Sequence, residues 1–289
     1  MLLPKFDYNA PATLDEACRM MANYGDRAKL LAGGTDLLIA LKKKAVTPTQ
    51  VVALDRVDEI QGFCADEEGI YLGARTTAAE IAGADLGPAG QVLSEAAIQV
   101  GSPLIRNLAT IGGNLVTAMP AADMAPPLLA LQASVILQRI GDQREIMLND
   151  FFISPGEQVM LPEEIMSMIV LPRLPEGCGG AFEKLGVRKA LERSIVSVAA
   201  VISLDDDGKT INGARIALGA VAPTPMLALD AASGLYGKKA TKKNFAAAAK
   251  TAAQEARPRG LRTSAVYSRL MVEQLTLRAL TRAYAAASI

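Results

Sequence analysis

The chain has 289 residues, 51% of them hydrophobic, and its 30 basic and 30 acidic side chains cancel. This length is enough to bury a core, and we interpret it as two domains. The balanced charge gives no global field for nucleic acid or an anionic membrane surface, and no apolar run approaches the roughly 18 residues of a membrane-spanning helix.

Histidine is absent from the chain, and cysteine is rare. The absence of histidine excludes histidine-based catalytic triads, histidine–zinc sites and a histidyl–flavin bond. Cys18, Cys64 and Cys178 are widely spaced with no Cys-x-x-Cys pair, so we expect buried thiols, with no metal site, iron–sulfur cluster or disulfide framework in this chain. Residues 1–7 lack the pattern of a secretory signal, and we therefore expect a soluble, cytoplasmic protein.

Helix and strand patterns alternate through the first hundred residues. Thr13 followed by Glu16 is typical of a capped helix start and predicts a helix that runs to about Tyr24. Apolar runs predict strands over 29–32, 51–54 and 70–74. Further helices are predicted over 36–44, 76–82 and 91–100.

The first glycine loop follows the strand at 29–32. Gly33, Gly34 and Thr35 lie between that strand and a predicted helix. A helix N-terminus presents free backbone N–H groups and a favourable dipole to an anion, which favours phosphate binding here. A single glycine pair is also typical of an ordinary tight turn, so the loop does not decide between these interpretations by itself.

A second glycine pair lies in the long stretch from Leu104 to Asp123. Gly112 and Gly113 stand between Thr110 and Asn114, and we expect glycine here to adopt φ > 0 and bring free N–H groups to an anion. Residues 107–123 contain no Lys or Arg, and the GxxxxGK[ST] pattern of a P-loop is absent. Two such loops suit the two phosphates of a dinucleotide.

The middle of the chain predicts strands over 134–139, 144–147 and 164–171. Residues 175–180, Pro-Glu-Gly-Cys-Gly-Gly, have the composition of a linker. We place the domain boundary there and interpret Gly179 and Gly180 as a hinge that binds no ligand.

Beyond that boundary the patterns predict a small sheet covered by helices. Strands are predicted over 181–185, 197–204 and 211–221, the last two joined by the turn at 205–209. The acidic residues of this turn lack the ligand spacing of an EF-hand, which favours a solvated hairpin over a calcium site. Helices are predicted over 226–235, 243–256 and 266–287.

Both glycine loops and three further motifs resemble one known family, the FAD-binding medium subunits of molybdenum hydroxylases, which include the carbon monoxide dehydrogenase flavoprotein and the xanthine dehydrogenase flavin domain. The likeness runs nearly from end to end. The segments that carry it are Phe6–Ala17, Ala32–Leu37, Ile105–Asn114, Thr117–Met124 and Arg262–Tyr267.

The resemblance implies an α+β fold. Residues 1–176 would form an FAD-binding domain of the PCMH or vanillyl-alcohol-oxidase type, built from two α/β subdomains, and residues 177–289 a small α+β C-terminal domain of the carbon monoxide dehydrogenase flavoprotein type. It also implies FAD contacts and no catalytic side chain. The implied contacts are Leu30, Leu31, Ala32, Gly33, Gly34, Thr35, Asp36, Leu37, Ala109, Thr110, Ile111, Gly112, Gly113, Asn114, Thr117, Ala122, Asp123, Ile165, Met166 and Lys184.

Within that set the resemblance implies different roles. The first loop and Thr110 to Asn114 would hold the pyrophosphate, and Thr117 and Asp123 would reach the phosphate and ribityl region. Ile165 and Met166 would lie beside the isoalloxazine and adenine region, and Lys184 near the flavin ring.

The function implied by the resemblance is electron transfer. A small subunit with [2Fe-2S] clusters, itself reduced by a large molybdopterin subunit, would pass electrons to non-covalent FAD and on to NAD⁺, a quinone, ferredoxin or oxygen. The complex would be a heterotrimer or a dimer of heterotrimers, and the substrate is not encoded in this chain. Two alternatives remain, a stand-alone FAD-dependent oxidoreductase of the same fold and a scaffold that has lost its flavin. Intact glycine loops argue against the scaffold.

Overall fold

A computed structural model of the chain describes residues 3–188, 191–260 and 262–288. Two predictions reach residues outside this range. The segment predicted to carry no secretory signal begins with Met1 and Leu2, and the predicted C-terminal domain ends with Ile289. None of the described helices is both long enough and apolar enough to cross a membrane.

The first unit is a small parallel sheet with the spatial order β1-β3-β2. Thr13 caps α1, and its hydroxyl accepts from the N–H of Glu16, as predicted. The apolar face of α1 packs on this sheet through Leu14, Cys18 and Met21. The elements are β1 (Asp7–Asn9), α1 (Leu14–Tyr24), β2 (Ala28–Leu31), α2 (Leu37–Lys42) and β3 (Gln50–Ala53).

The second unit is an antiparallel five-stranded sheet with the order β4-β5-β10-β6-β7. Five helices connect β5 to β6, and α6 packs against β10. The largest hydrophobic cluster joins residues of these helices to the sheet. The elements are β4 (Phe63–Ala65), β5 (Gly69–Gly73), α3 (Ala78–Gly83), α4 (Gly87–Ala97), α5 (Pro103–Arg106), α6 (Ile111–Val116), α7 (Ala125–Ala130), β6 (Ser134–Arg139), β7 (Asp142–Met147), β8 (Phe152–Ser154), β9 (Glu157–Gln158) and β10 (Ile165–Pro172).

The third unit is a four-stranded antiparallel sheet, β11-β12-β13-β14, with α10 packed on one face and α9 packed against α10. The helix predicted over 226–235 is wrong at its start, because Met226 and Leu227 pair with β13 before the helix begins. The elements are β11 (Cys178–Leu185), β12 (Val196–Leu204), β13 (Ile211–Gly219), β14 (Met226–Leu227), α8 (Leu229–Ser233), α9 (Lys242–Glu255) and α10 (Ala265–Ala287). The predicted α+β fold class is confirmed.

The hinge predicted at Gly179 and Gly180 is wrong. Both glycines lie in β11, between α10 and α4. A Cβ at Gly179 would lie 2.2 Å from the backbone nitrogen of Ala287, and one at Gly180 would lie 2.5 Å from the carbonyl oxygen of Ala89. The glycines therefore allow helices to pack closely on both sides of an ordered strand.

The second and third units share a hydrophobic core. Phe182, Ala199, Val201 and Ala217 of the C-terminal sheet belong to the same buried cluster as the helices of the second unit. β12 is buried along nearly its whole length, as expected for a strand covered on both faces. This packing fixes the C-terminal unit against the helices that precede Asp123.

Candidate functional site

The first glycine loop presents unpaired backbone donors. Within the described part of the chain, none of the N–H groups from Ala32 to Leu37 donates a hydrogen bond to another protein group. Asp36 is the N-cap residue of α2, but its side chain makes no capping hydrogen bond. Gly34 has a φ of 70°, in the left-handed region where successive N–H groups turn towards a common point. This part of the predicted site has the donors that a phosphate requires.

The second glycine pair begins a short helix. Thr110 is the N-cap residue of α6, and its hydroxyl accepts from the N–H of Gly113 at 3.2 Å. The N–H groups of Ile111 and Gly112 donate at 2.9 Å to carbonyl oxygens of residues 74–76. The expectation of free N–H groups and φ > 0 is therefore wrong for Gly112 and Gly113, because this helix start is bonded to the protein itself.

Gly33 joins the two glycine segments. A Cβ at this position would lie 1.7 Å from the carbonyl oxygen of Leu108, closer than non-bonded atoms approach. The structure thus brings the first loop against the backbone that leads into Ala109 and Thr110, although the loop and this segment are far apart in the sequence. This contact within the chain requires glycine at position 33, whatever ligand the loop binds.

The segment after α6 is tied back onto that helix. The hydroxyl of Thr117 donates to the carbonyl oxygen of Asn114 at 2.9 Å, and the side-chain oxygen of Asn114 accepts from the N–H of Met124 at 3.3 Å. Ala118 has a positive φ of 46°, which is uncommon for a residue with a Cβ. Ala122 is buried beneath the segment. These contacts fix the position of Asp123.

Asp123 lies in a buried cluster that links the second and third units. Its Oδ2 accepts from the Lys184 ammonium at 2.6 Å, and its Oδ1 accepts from the Ser194 hydroxyl at 2.5 Å. The same ammonium also donates to the carbonyl oxygen of Gln99 at 3.0 Å. Burial raises the pKa of Asp123, while the ammonium and the hydroxyl act in the opposite direction by favouring the carboxylate.

A cavity of about 360 Å³ opens beside this cluster. Lys184 forms part of its wall, together with Gln99, residues 185–188 and Glu192. The ammonium of Lys184 has three donors, and two of them are used by Asp123 and Gln99. The third donor has no partner among the described residues. The resemblance placed Asp123 and Lys184 in one cofactor site, and the structure brings the two side chains together.

Ile165 and Met166 are placed differently from the other predicted contacts. The two residues are 1% and 4% exposed. They belong to two separate hydrophobic clusters, one in the first unit and one in the second. Their main chain pairs with β6, so both residues present almost no surface to a ligand. Leu30 packs in part against the first of these clusters.

Sequence reasoning missed Ser194 completely. The residue is 1% exposed and lies 71 positions from the carboxylate it contacts. No spacing or motif links the two, since the contact exists only once the C-terminal sheet packs against α4. Among the described residues, no cluster of three or more His, Cys, Asp or Glu side chains is arranged to hold a metal ion.

Comparison with known proteins identifies related chains along the whole length. The family model of the FAD binding domain in molybdopterin dehydrogenase matches residues 4–174, and that of the CO dehydrogenase flavoprotein C-terminal domain matches residues 181–283. The carbon monoxide dehydrogenase medium chain of Hydrogenophaga pseudoflava is 32% identical over 287 residues, which is 99% of each chain.

Two further comparisons agree with this one. The 6-hydroxypseudooxynicotine dehydrogenase complex subunit alpha of Paenarthrobacter nicotinovorans is 33% identical over 286 residues, 97% of this chain and 96% of that one. In the solved structure of the Hydrogenophaga pseudoflava carbon monoxide dehydrogenase that lacks the Mo-pyranopterin moiety, one chain superposes with a TM-score of 0.93 at 32% identity and 99% coverage of both chains.

Proposed function

Because this chain belongs to the family of FAD-binding domains of molybdopterin dehydrogenases, we propose that it passes electrons from a [2Fe-2S] subunit through FAD to an external acceptor. It is an FAD-binding oxidoreductase subunit of the molybdenum hydroxylase class. When bound, FAD supplies the exchange between one-electron and two-electron transfer. The residues of this chain bind and orient the cofactor.

The observation that supports this proposal most strongly is the run of unpaired N–H groups from Ala32 to Leu37. Backbone donors at a helix N-terminus suit a pyrophosphate without a lysine. Thr110 and Asn114 follow the backbone that Gly33 contacts. We assign the phosphate-binding role to the first loop and a shaping role to the start of α6.

Asp123 and Lys184 suit the remainder of the cofactor. Each carboxylate oxygen can accept two hydrogen bonds, and the described residues fill one position on each. The open positions suit the hydroxyl groups of a ribityl chain. The free donor of Lys184 suits a carbonyl or an anionic edge of a flavin ring.

The partners follow from what this chain lacks. Its sequence has no histidine and no cysteine spacing for a cluster, so the molybdopterin and [2Fe-2S] centres would be held by a large and a small subunit. We propose a heterotrimer, or a dimer of heterotrimers. Within this chain, we propose that the boundary between the two domains lies between residues 176 and 177. Three unpaired cysteines suit the reducing cytoplasm.

The direct test of the cofactor is release from the purified chain by acid precipitation. We expect FAD in the supernatant, because no histidyl bond is possible and the N–H groups of the first loop suit a pyrophosphate. FMN in its place, or flavin that stays with the pellet, would contradict the proposal. The native mass of the purified protein would distinguish a subunit from a stand-alone oxidoreductase, since the subunit should purify with a large and a small partner.

A further inference from the structure

Two donors from the C-terminal unit hold the buried Asp123 carboxylate. Lys184 lies on β11, and Ser194 lies in the segment just before β12. One binds Oδ2 at 2.6 Å and the other binds Oδ1 at 2.5 Å. A carboxylate held at one oxygen can still rotate about its Cβ–Cγ bond, whereas one held at both oxygens cannot. The Ser194 hydroxyl is therefore what fixes the plane of this carboxylate.

The backbone around Ser194 is itself fixed. Arg262 donates to the carbonyl oxygens of Arg193 at 2.6 Å and Ser194 at 3.4 Å, and it also forms an ion pair with Glu192. Arg188 pairs with the same Glu192 carboxylate at 3.0 Å. These contacts hold the backbone of Ser194 in place, and its hydroxyl therefore stays next to Asp123.

We propose that Ser194 is a positioning residue of the cofactor site, which acts by fixing the Asp123 carboxylate so that its open acceptor positions face the ribityl hydroxyl groups of FAD. This inference rests on the proposed function, in which Asp123 contacts FAD. Ser194 itself need not touch the cofactor. Its hydroxyl has one hydrogen to donate, and the structure uses it on Oδ1.

The charge of Asp123 depends on the same contact. Burial favours the protonated acid, and a hydrogen bond to the carboxylate favours the ionised form. Lys184 is the charged group in contact with Asp123, from β11. Nearby, Arg188 and Arg262 both pair with Glu192, Arg262 from the turn before α10. Arg193, beside Ser194, forms no ion pair with the described residues. Loss of the Ser194 hydroxyl should therefore raise the pKa of Asp123.

The test is FAD binding to the full-length Ser194→Ala chain across a pH series. Because a hydrogen bond to a charged group is lost, we expect FAD to bind about tenfold more weakly at neutral pH. We also expect the pH at which affinity falls to move upwards, since an Asp123 with a higher pKa is protonated earlier on acidification. A purely structural role would not move this pH dependence.

Ser197→Ala is the matched control. Ser197 is also 1% exposed and lies three residues further along, but its hydroxyl has no hydrogen-bond partner among the described residues. We expect this control to bind FAD as the unaltered chain does, with the same pH profile. Asp123→Asn removes the titrating group, so we expect weak binding that no longer depends on pH in this range.

The outcomes separate the inference from the proposed function. If the unaltered chain binds FAD and Ser194→Ala matches it in affinity and pH profile, or changes no more than Ser197→Ala does, the positioning role is overturned while the function stands. If Asp123→Asn keeps the pH dependence of the unaltered chain, the positioning role is likewise overturned. If the unaltered chain binds no FAD, the proposed function and the inference are both wrong.

Discussion

Asp123 carries a carboxylate that is almost entirely removed from water, and the Lys184 ammonium beside it is equally buried. A buried ion pair of this kind contributes little net stability when intact, but the loss of one partner leaves an uncompensated charge in a low-dielectric environment. The strength of that penalty depends on the charge of the remaining carboxyl group. It therefore depends on pH.

Lys184→Met should destabilise the chain by about 3 kcal/mol near pH 8. Burial already raises the pKa of Asp123, and removal of the ammonium raises it further. Below the ordinary pKa of an aspartic acid, about 4, the group is protonated in both the folded and unfolded states and costs nothing. The free energy of unfolding of the variant should then fall as pH rises through the elevated pKa.

Urea unfolding of the cofactor-free chain at pH 4.5 and pH 8 measures this dependence. Lys250→Met, on the exposed surface of α9, is the control and should change stability little at either pH. A loss of stability in Lys184→Met that is equal at the two pH values would show that the ion pair does not set the charge of Asp123.

Gly33 offers a second test at the scale of one residue. Gly33→Ala would place a methyl group 1.7 Å from the carbonyl oxygen of Leu108, so the two glycine segments must separate. We expect a loss of about 2 kcal/mol or more in the free energy of unfolding, together with loss of FAD. Gly83→Ala is the control, because nothing lies within 4 Å of its Cβ position. Equal FAD affinity in the two variants would contradict the role assigned to the first loop.

At the scale of the elements, three glycine pairs that look alike in the sequence have three structures. Gly33 and Gly34 form a turn whose N–H groups have no partner among the described residues. Gly112 and Gly113 begin a helix, and Gly179 and Gly180 lie in a strand. The absence of a side chain therefore has a different structural role in each pair. Only the first pair has the structure that the sequence predicted for it, since the second was expected to bind an anion and the third to form a hinge.

Gly179→Ala tests the correction to the predicted hinge. The added methyl would lie 2.2 Å from the backbone of α10, and a helix backbone cannot give way as a side chain does. We expect a loss of about 2 kcal/mol or more in the free energy of unfolding. Thermal or urea unfolding of the full chain provides the measurement.

Gly213→Ala is the matched control in the same sheet. Its Cβ would meet only the Ser203 hydroxyl, at 2.7 Å, and a hydroxyl can rotate away. We expect this variant to lose clearly less stability than Gly179→Ala. Two equally stable variants would restore the interpretation of residues 175–180 as a flexible linker.

Local patterns predicted most of the elements because local interactions determine them. The Thr13 cap locates the start of α1, and the apolar run at 134–139 coincides with β6. β4 was not predicted, because Phe63 to Ala65 are all exposed and show no alternation. Of the site, the sequence and its family likeness indicated Asp123 and Lys184, but the contact with Ser194 depends on the packing of separate units and has no local pattern.

At the scale of the whole molecule, the C-terminal unit completes the candidate site. Lys184 and Ser194 both come from it, and its sheet shares a core with the helices that precede Asp123. A cofactor in this site would therefore be held by both halves of the chain. The chain supplies donors for a cofactor, but the sequence has no cysteine spacing for a cluster that would reduce it.

The most direct test of the central claim is the flavin absorbance of the FAD-loaded chain when a substrate of this enzyme class is added without oxygen. Purines, aldehydes, CO or aromatic acyl substrates should not bleach the flavin of the isolated chain, because in the proposed function its electrons come from another protein. Addition of the iron–sulfur and molybdopterin subunits should make one such substrate bleach the flavin. Rapid bleaching of the isolated chain by any of them would contradict the account and identify a stand-alone oxidoreductase.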